Sequence, residues 1–534
     1  MGLIDLLIIG NGGAGLSAAL SAKNNGAKVL VLSKTYPTQS QTSQAQGGIN
    51  GVLGIKDSKD SIESHINDTL KSAHNIGNEE AIKYMCENAK ESIKWLDDIG
   101  VPFSRDKHNN IARRKLGGTK NPRACYSSDY TGLKILHTLY DKCIKNDIEF
   151  LNEHMLLSFI VENETIKGIT CLDIVTSEVK QILAKSVIVA SGGYGAIYNG
   201  FTTNSNSSTG DSISVALDIG CELSDMEYIQ FHPTSLKDSC ILISESARGE
   251  GGYLVTKDEK RFVDELAPRD VVARAIYEKI LDKQEVFLDL RHLGLEKIKQ
   301  TMPQEYDLAL EFAKSKLDSD LIAIQPSAHY TMGGIKADID GKTNIKNLFA
   351  VGECSSNGVH GANRLGGNSL LEIITFGKRV GLKASESLKE ISIEDKEYKE
   401  LDMSRKNIQD IFDMPNLEDF YKYKKQLGEI FYKKVGLFRK EDELNSVLET
   451  LHNWQEKLPN MGIDDKSKTY NTNLKEFLEF RHMLKLSKTI VLSALKRCES
   501  RGAHYRSDFP NTLDEFCKNI IVTKKNDEIL LELV

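Results

Sequence analysis

Asp5-Leu-Leu-Ile-Ile-Gly10-Asn-Gly12-Gly13-Ala14-Gly15 decides the fold. Its first half is an unbroken apolar run, the pattern of a strand buried on both faces of a parallel sheet. Its second half is a Gly-x-Gly-x-x-Gly turn, and Leu16 to Lys23 continues as a helix. Lys28-Val-Leu-Val-Leu-Ser33 supplies a second strand at the spacing of a strand–helix–strand unit. The glycine pattern alone is weak. In this setting it predicts a dinucleotide pyrophosphate lying on the helix N-terminus, against Gly10, Gly12, Gly13, Ala14 and Gly15. One feature argues against NAD: Ser33, followed by Lys34, stands where an acid would grip an adenosine ribose.

A second glycine-rich stretch reinforces the first. Asn347 to Val351 reads as a strand ending on Gly352 and Glu353. Residues 354 to 368 are dense in Gly, Asn and Ser around one cation, Arg364, and an apolar helix starts near Asn368-Ser369-Leu370. A backbone so poor in large side chains can lie against a flat ligand, while an arginine fork suits a carboxylate. The alternative is a plain surface loop, which the flanking strand and helix disfavour. Residues 38 to 51, holding Ser40, Gln41, Thr42, Gln46, Gly47 and Gly48, form a small-residue polar loop able to hydrogen-bond the edge of a heteroaromatic ring. The other reading of that loop is a polar linker. Ser208-Thr-Gly-Asp211 opens another helix toward a polar ligand.

The remaining chain sets the boundaries. At 534 residues several domains are expected. A net charge of −7 without a basic stripe excludes a nucleic-acid partner as the natural reading. Nine cysteines stand singly, which argues against an iron–sulfur or other metal site and for a reducing compartment. No apolar run is long enough to span a bilayer, so a cytoplasmic protein is expected, reaching the inner face of a membrane only through partner subunits. Residues 60 to 98 look helical. Segment 105 to 123, with Arg105, Lys107, Arg113, Arg114, Lys115, Lys120 and Arg123, reads as a solvated basic loop. Composition shifts near 232, 330 and 390 predict a split α/β Rossmann-like domain (1–231 and 330–388). An inserted α+β cap (232–329) and a helical domain with a C-terminal tail (389–534) complete the expected layout.

Taken together, these motifs resemble the flavoprotein subunit of fumarate reductase and succinate dehydrogenase, in the superfamily that includes L-aspartate oxidase. The resemblance is carried by Gly10–Gly15, Ala45-Gln-Gly-Gly-Ile-Asn50, Gly132 to Leu139, Gln230-Phe-His-Pro-Thr234 and Ser246-Ala-Arg-Gly-Glu-Gly-Gly252. It continues through Ala267-Pro-Arg-Asp270, Ala328-His-Tyr-Thr-Met-Gly-Gly334, His360-Gly-Ala-Asn-Arg-Leu365 and Glu499-Ser-Arg-Gly-Ala-His504, in family order.

The resemblance implies an extended FAD, with Ser33, Lys34, residues 40 to 48, Asp211, Glu353 and residues 368 to 370 touching it. It implies fumarate reduction, or the reverse oxidation. His232, Ser244, Glu245, His329 and Arg364 would hold the dicarboxylate, and Arg269 would deliver the proton. Arginine is a poor acid, with a pKa above about 12, but a carbanion-like intermediate is basic enough to take its proton. Arg248-Gly-Glu250 would reprotonate it. Membrane-bound members usually carry a flavin-linked His in a Ser-His-Thr sequence; here Ser40-Gln41-Thr42 puts Gln41 in that place, so noncovalent FAD is expected. An aspartate oxidase would place an acid where Leu116 stands, which favours the reductase. A flavin-binding scaffold without turnover is the remaining alternative, and the intact His, Arg and Glu set argues against it. Electrons are expected through a separate iron–sulfur subunit, with a membrane anchor as a further partner.

Overall fold

The computed structural model describes residues 3–54, 59–386, 388, 391–526 and 528–534. Strand Ile4–Ile9 is buried along almost its whole length and lies between two parallel neighbours. Leu6 pairs with Val29 of Val29–Ser33 on one side and with Ser186 of Val179–Val189 on the other. Glu149–Asn152 extends the sheet beyond Val29–Ser33, and Leu348–Ala350 pairs with the far half of Val179–Val189. That last strand has two lives. Its first residues pair antiparallel with Thr165–Asp173, and its last ones join the parallel sheet. Four parallel strands therefore end at one edge, at Gly10, Ser33, Ala190 and Val351, where open α/β sheets bind ligands.

Helices Gly13–Asn24 and Asn368–Glu386 cross this sheet in direct contact. The approach needs Gly377 and Gly381, because a Cβ at Gly381 would lie 2.2 Å from the carbonyl oxygen of Ala18. The helix after the first glycine turn is thereby locked to the helix after the second.

The inserted segment is built on a four-stranded antiparallel sheet in the order Ile229–Leu236, Ile322–Thr331, Val286–Asp289, Tyr253–Thr256. Its apolar cluster draws buried side chains from Leu236 to Ile324 alone. The two longest strands carry register shifts around Gln230, Phe231 and His232, and such bulges re-aim side chains.

One sequence-based expectation holds, one changes and one gains detail. Residues 60 to 98 are three helices, Ile62–Ser72, Glu79–Glu87 and Ala89–Asp98, with Ser61 and Asn78 accepting the first-turn N–H groups of the first two. The basic segment is not simply solvated. Arg123 is fully buried, 2.8 Å from Asp60 and 2.7 Å from Asp68, while Arg114 lies beneath the Tyr126 ring at 3.8 Å. A charge in the interior needs such partners, and sequence reading could not see them. The C-terminal tail is a β-hairpin, Ile520–Lys525 with Glu528–Leu533, added to Leu223–Ser224. The preceding helices share one buried cluster with the parallel sheet, in which Leu427, Phe431 and Phe477 pack with Ile4, Leu30 and Val187.

Candidate active site

A continuous cleft runs from the glycine turn at the sheet edge to the mouth of the inserted segment. Gly10, Gly12, Gly13, Ala14, Ser33, Lys34, Ser40, Gln41, Thr42, Gln46, Gly47, Gly48, Asp211, Glu353, Ser369 and Leu370 line one stretch of it. The first helix begins at Gly13 with no side-chain cap, so its first turn opens toward the cleft. Gly10 has φ +116, and a Cβ there would sit 2.2 Å from the Ala190 carbonyl. Gly15 does not line the cleft. A Cβ on it would strike the Gly10 carbonyl at 2.0 Å, so it permits close strand–helix packing instead.

Asn368 departs from its expected place. Its amide is spent on Asn50, Thr69 and His65 behind the cleft, at 2.8 to 3.0 Å, so its side chain supports the wall and does not face a ligand. Lys34 lines the cleft with its ammonium engaged by Asp211 at 2.9 Å and Glu479 at 2.8 Å. Burial opposes ionisation of Asp211, but Lys34 outweighs it and holds the carboxyl below its ordinary value. Glu479 comes from the long helix Thr472–Lys496 and was invisible to motif reading. Gln41 accepts the Ser205 N–H at 2.8 Å. Burial raises the Glu353 carboxyl to about 7, and it accepts the Thr331 N–H at 3.0 Å. The Ser40 and Ser191 hydroxyls and Gln46 Oε1 line the cleft buried and without a protein partner, which suits a polar, ring-bearing ligand such as a flavin dinucleotide.

At its other end the cleft is lined by His232, Ser244, Glu245, Arg269, His329 and Arg364. Cap strands carry both histidines, whose rings are 4.9 Å apart. Each Nδ1 is occupied, by Thr234 at 3.1 Å in His232 and by Thr203 at 2.8 Å in His329, which leaves the Nε2 atoms for a ligand. Burial and nearby arginines push both rings well below the usual 6.5, so both are neutral. Arg364 stacks 4.2 Å over Tyr330, and its Nε is buried without a partner.

Arg269 donates from Nε to Glu245 at 2.9 Å. Its neighbour Asp270 is engaged elsewhere, by Arg274 at 2.8 Å and Asn363 at 3.0 Å. Glu245 also lies 3.7 Å from Arg248. Burial opposes its ionisation, yet Arg269 and Arg248 prevail and keep its carboxyl below the ordinary value. Glu250 is elsewhere. It pairs with Lys297 at 3.5 Å, so the carboxylate between the two arginines is Glu245, and the relay read as Arg248-Gly-Glu250 must be redrawn.

Gln230, a motif residue with no role assigned from sequence, joins the two cleft arginines. Its Oε1 accepts from Arg269 at 3.0 Å and from Arg364 at 3.1 Å, and its amide donates to Asn363 and to the Arg364 carbonyl at 2.7 Å. Three guanidinium groups, on Arg248, Arg269 and Arg364, thus stand near one ionised carboxylate, Glu245. Glu353, which lines the same cleft, also acts on Arg364, and guanidinium groups outnumber these carboxylates, a setting that suits an anionic ligand.

Comparison with known proteins gives the same picture. The model of the FAD binding domain matches residues 5–370, and that of the fumarate reductase flavoprotein C-term matches 424–533. The 8-methylmenaquinol:fumarate reductase flavoprotein subunit of Wolinella succinogenes is 36% identical, over 97% of this chain and 88% of its own length. The succinate dehydrogenase flavoprotein subunit of Coxiella burnetii is 36% identical, over 95% and 92%. A solved E. coli quinol fumarate reductase chain superposes with a TM-score of 0.94 at 33% identity, covering all of this chain and 96% of that one.

Proposed function

The chain belongs to the fumarate reductase and succinate dehydrogenase flavoprotein family, and from that premise we propose that its cleft interconverts fumarate and succinate on FAD. It is an FAD-dependent oxidoreductase. The observation that carries the substrate reading is the cluster of Arg248, Arg269 and Arg364 beside two imidazoles whose Nδ1 atoms are already engaged. Arg364 grips one carboxylate as a fork, while His232, His329 and Ser244 orient and polarise the other. FAD, when bound, supplies the hydride to one face of the alkene. Arg269 holds the proton for the opposite face. Glu245 lies against Arg269 and Arg248, so protons return to Arg269 along Arg248–Glu245–Arg269. The segment 232–329 acts as a cap, since it brings His232, Ser244, Arg269 and His329 to the Arg364 of residues 330–388.

Gly10, Gly12, Gly13, Ser40, Thr42, Gln46, Ser191 and Glu353 would hold the cofactor. Attachment is noncovalent, because Gln41 stands at the linking position and a carboxamide forms no such bond. Denatured protein should therefore show its unmodified mass, and an added flavin mass would overturn this. Electrons reach the flavin through a separate iron–sulfur subunit, a reading that rests on the family membership. No described helix is long and apolar enough to cross a membrane, so any membrane attachment runs through other subunits.

The decisive assay is reoxidation of a reduced dye by flavin-loaded protein. Fumarate should drive it, and its failure to do so would refute the proposed activity. Oxygen-dependent consumption of L-aspartate would point instead to an aspartate oxidase; buried Leu116, lining the cleft where an acid would meet an ammonium group, predicts none.

A further inference from the structure

Glu305 has no part in the chemistry above, yet it touches the dicarboxylate pocket from behind. It lies on helix Pro303–Phe312 and is fully buried. Its Oε1 faces three donors at once: the Ser244 N–H at 3.1 Å, the Ser244 hydroxyl at 2.5 Å and the Ser246 hydroxyl at 2.9 Å. The two serine hydroxyls also touch each other. Its other oxygen, Oε2, is buried without a protein partner. Ser244 lines the cleft on its opposite side.

A serine hydroxyl has one proton to give. We propose that Glu305 is a positioning residue that competes with the dicarboxylate for the Ser244 hydroxyl, and that only its protonated form releases that hydroxyl to the substrate. An ionised Glu305 draws the Ser244 proton into a charge-assisted bond and turns an oxygen lone pair toward the incoming carboxylate. A protonated Glu305 is a weaker acceptor, already served by the Ser244 N–H and Ser246. The Ser244 hydroxyl can then swing outward and donate.

The surroundings place this exchange near neutrality. Burial raises the Glu305 carboxyl to about 7, reinforced by Asp129. Asp129 faces it across the cap boundary and accepts the Glu305 N–H at 3.0 Å. Arg114, whose Nε and Nη1 are buried without partners, opposes the rise. Glu245, between the two serines, is tied to Arg269. Lys299 lies over the Tyr306 ring, on the residue that follows Glu305. Because Ser244 and Glu305 are both cap residues and Asp129 is not, the proton affinity of Glu305 also registers whether the cap is seated.

The inference rests on the dicarboxylate reading, and the test separates the two. Succinate binding to flavin-loaded protein is followed by calorimetry from pH 6 to 9. Absence of binding at every pH in the natural protein defeats the substrate reading itself and this inference with it. If it binds, the dissociation constant should rise above pH 7, approaching about tenfold per pH unit. Glu305→Gln should remove that rise and bind more tightly than the natural protein at pH 8.5. On a Ser244→Ala background, Glu305→Gln should leave the profile unchanged, since no hydroxyl remains to compete for. Glu353 titrates in the same window but is present in every variant, so any slope it contributes persists. Ser246→Ala removes a donor from Glu305 and should move the midpoint upward, which decides the matter if Glu305→Gln does not fold. An unchanged pH profile in Glu305→Gln, or in Ser246→Ala where the first variant fails to fold, would overturn the inference.

Discussion

Arg269 and Arg364 are both buried arginines, but their partners assign them different work. Arg364 lacks a carboxylate partner and stacks on Tyr330, so its charge is available to a ligand. Arg269 is backed by the Glu245 carboxylate, which in the proposed relay passes it a proton from Arg248. Arg269→Gln should therefore lower the turnover of fumarate about 10²- to 10⁴-fold, the usual span for loss of a general acid. Succinate affinity should change far less, since Arg364 and the histidines remain, and parallel steady-state and calorimetric measurements check the split. Residue types at this scale were readable, because a dicarboxylate needs cations and neutral donors. Gln230 was not. A glutamine earns notice only when two arginines from separate segments meet on its oxygen.

At the scale of elements, the glycine-rich turns were legible because their requirement is local. Gly10 needs a positive φ and a bare α-carbon whatever the distant chain does. The helix crossing was not legible, although Gly377-Lys-Arg-Val-Gly381 shows small residues one turn apart. Gly381→Val should push the Asn368–Glu386 helix off Gly13–Asn24. Overpacking of this kind costs about 1–3 kcal/mol or more, and the expected result is a lower melting temperature with less FAD retained after gel filtration. Normal melting and full flavin content would show that the two helices can slide apart without loss. The cap strands teach the complementary lesson. Their bulges aim His232 into the cleft, and nothing in a two-residue alternation announces a bulge.

Across the whole molecule, Lys34 ties the nucleotide end of the cleft to the C-terminal helices through Asp211 and Glu479. Replacing it with Met would leave buried Asp211 without its lysine, while Glu479 keeps Lys475 at 3.4 Å; removing one partner of a buried pair typically costs about 3–5 kcal/mol. The pH dependence should change sign. In the natural protein the Asp211 carboxyl is held below its ordinary 3.8, so its contribution is present above that value and fades as pH falls through the lower folded one. In Lys34→Met burial would raise the Asp211 carboxyl, so that variant should regain stability on acidification. Melting curves from pH 4 to 8 for both proteins measure this. Parallel curves would mean that Asp211 finds another partner. The helical domain shares a buried core with the parallel sheet, and its terminal hairpin adds strands to Leu223–Ser224.

The amino-acid sequence by itself determined the parallel sheet and the dinucleotide turn, while the family resemblance named the polar side chains at the far end of the cleft. Each of these is a local demand, on backbone conformation, on apolar periodicity or on chemical type, and local demands are written in consecutive residues. Only the tertiary structure decided the partners. Glu245 and not Glu250 stands between the arginines, Arg123 is interior, Asn368 faces away, and Glu305 reaches Ser244 from 61 positions along the chain. A buried charge or hydroxyl takes whatever partner the packing of distant segments puts within hydrogen-bond reach, and sequence spacing carries no record of that distance.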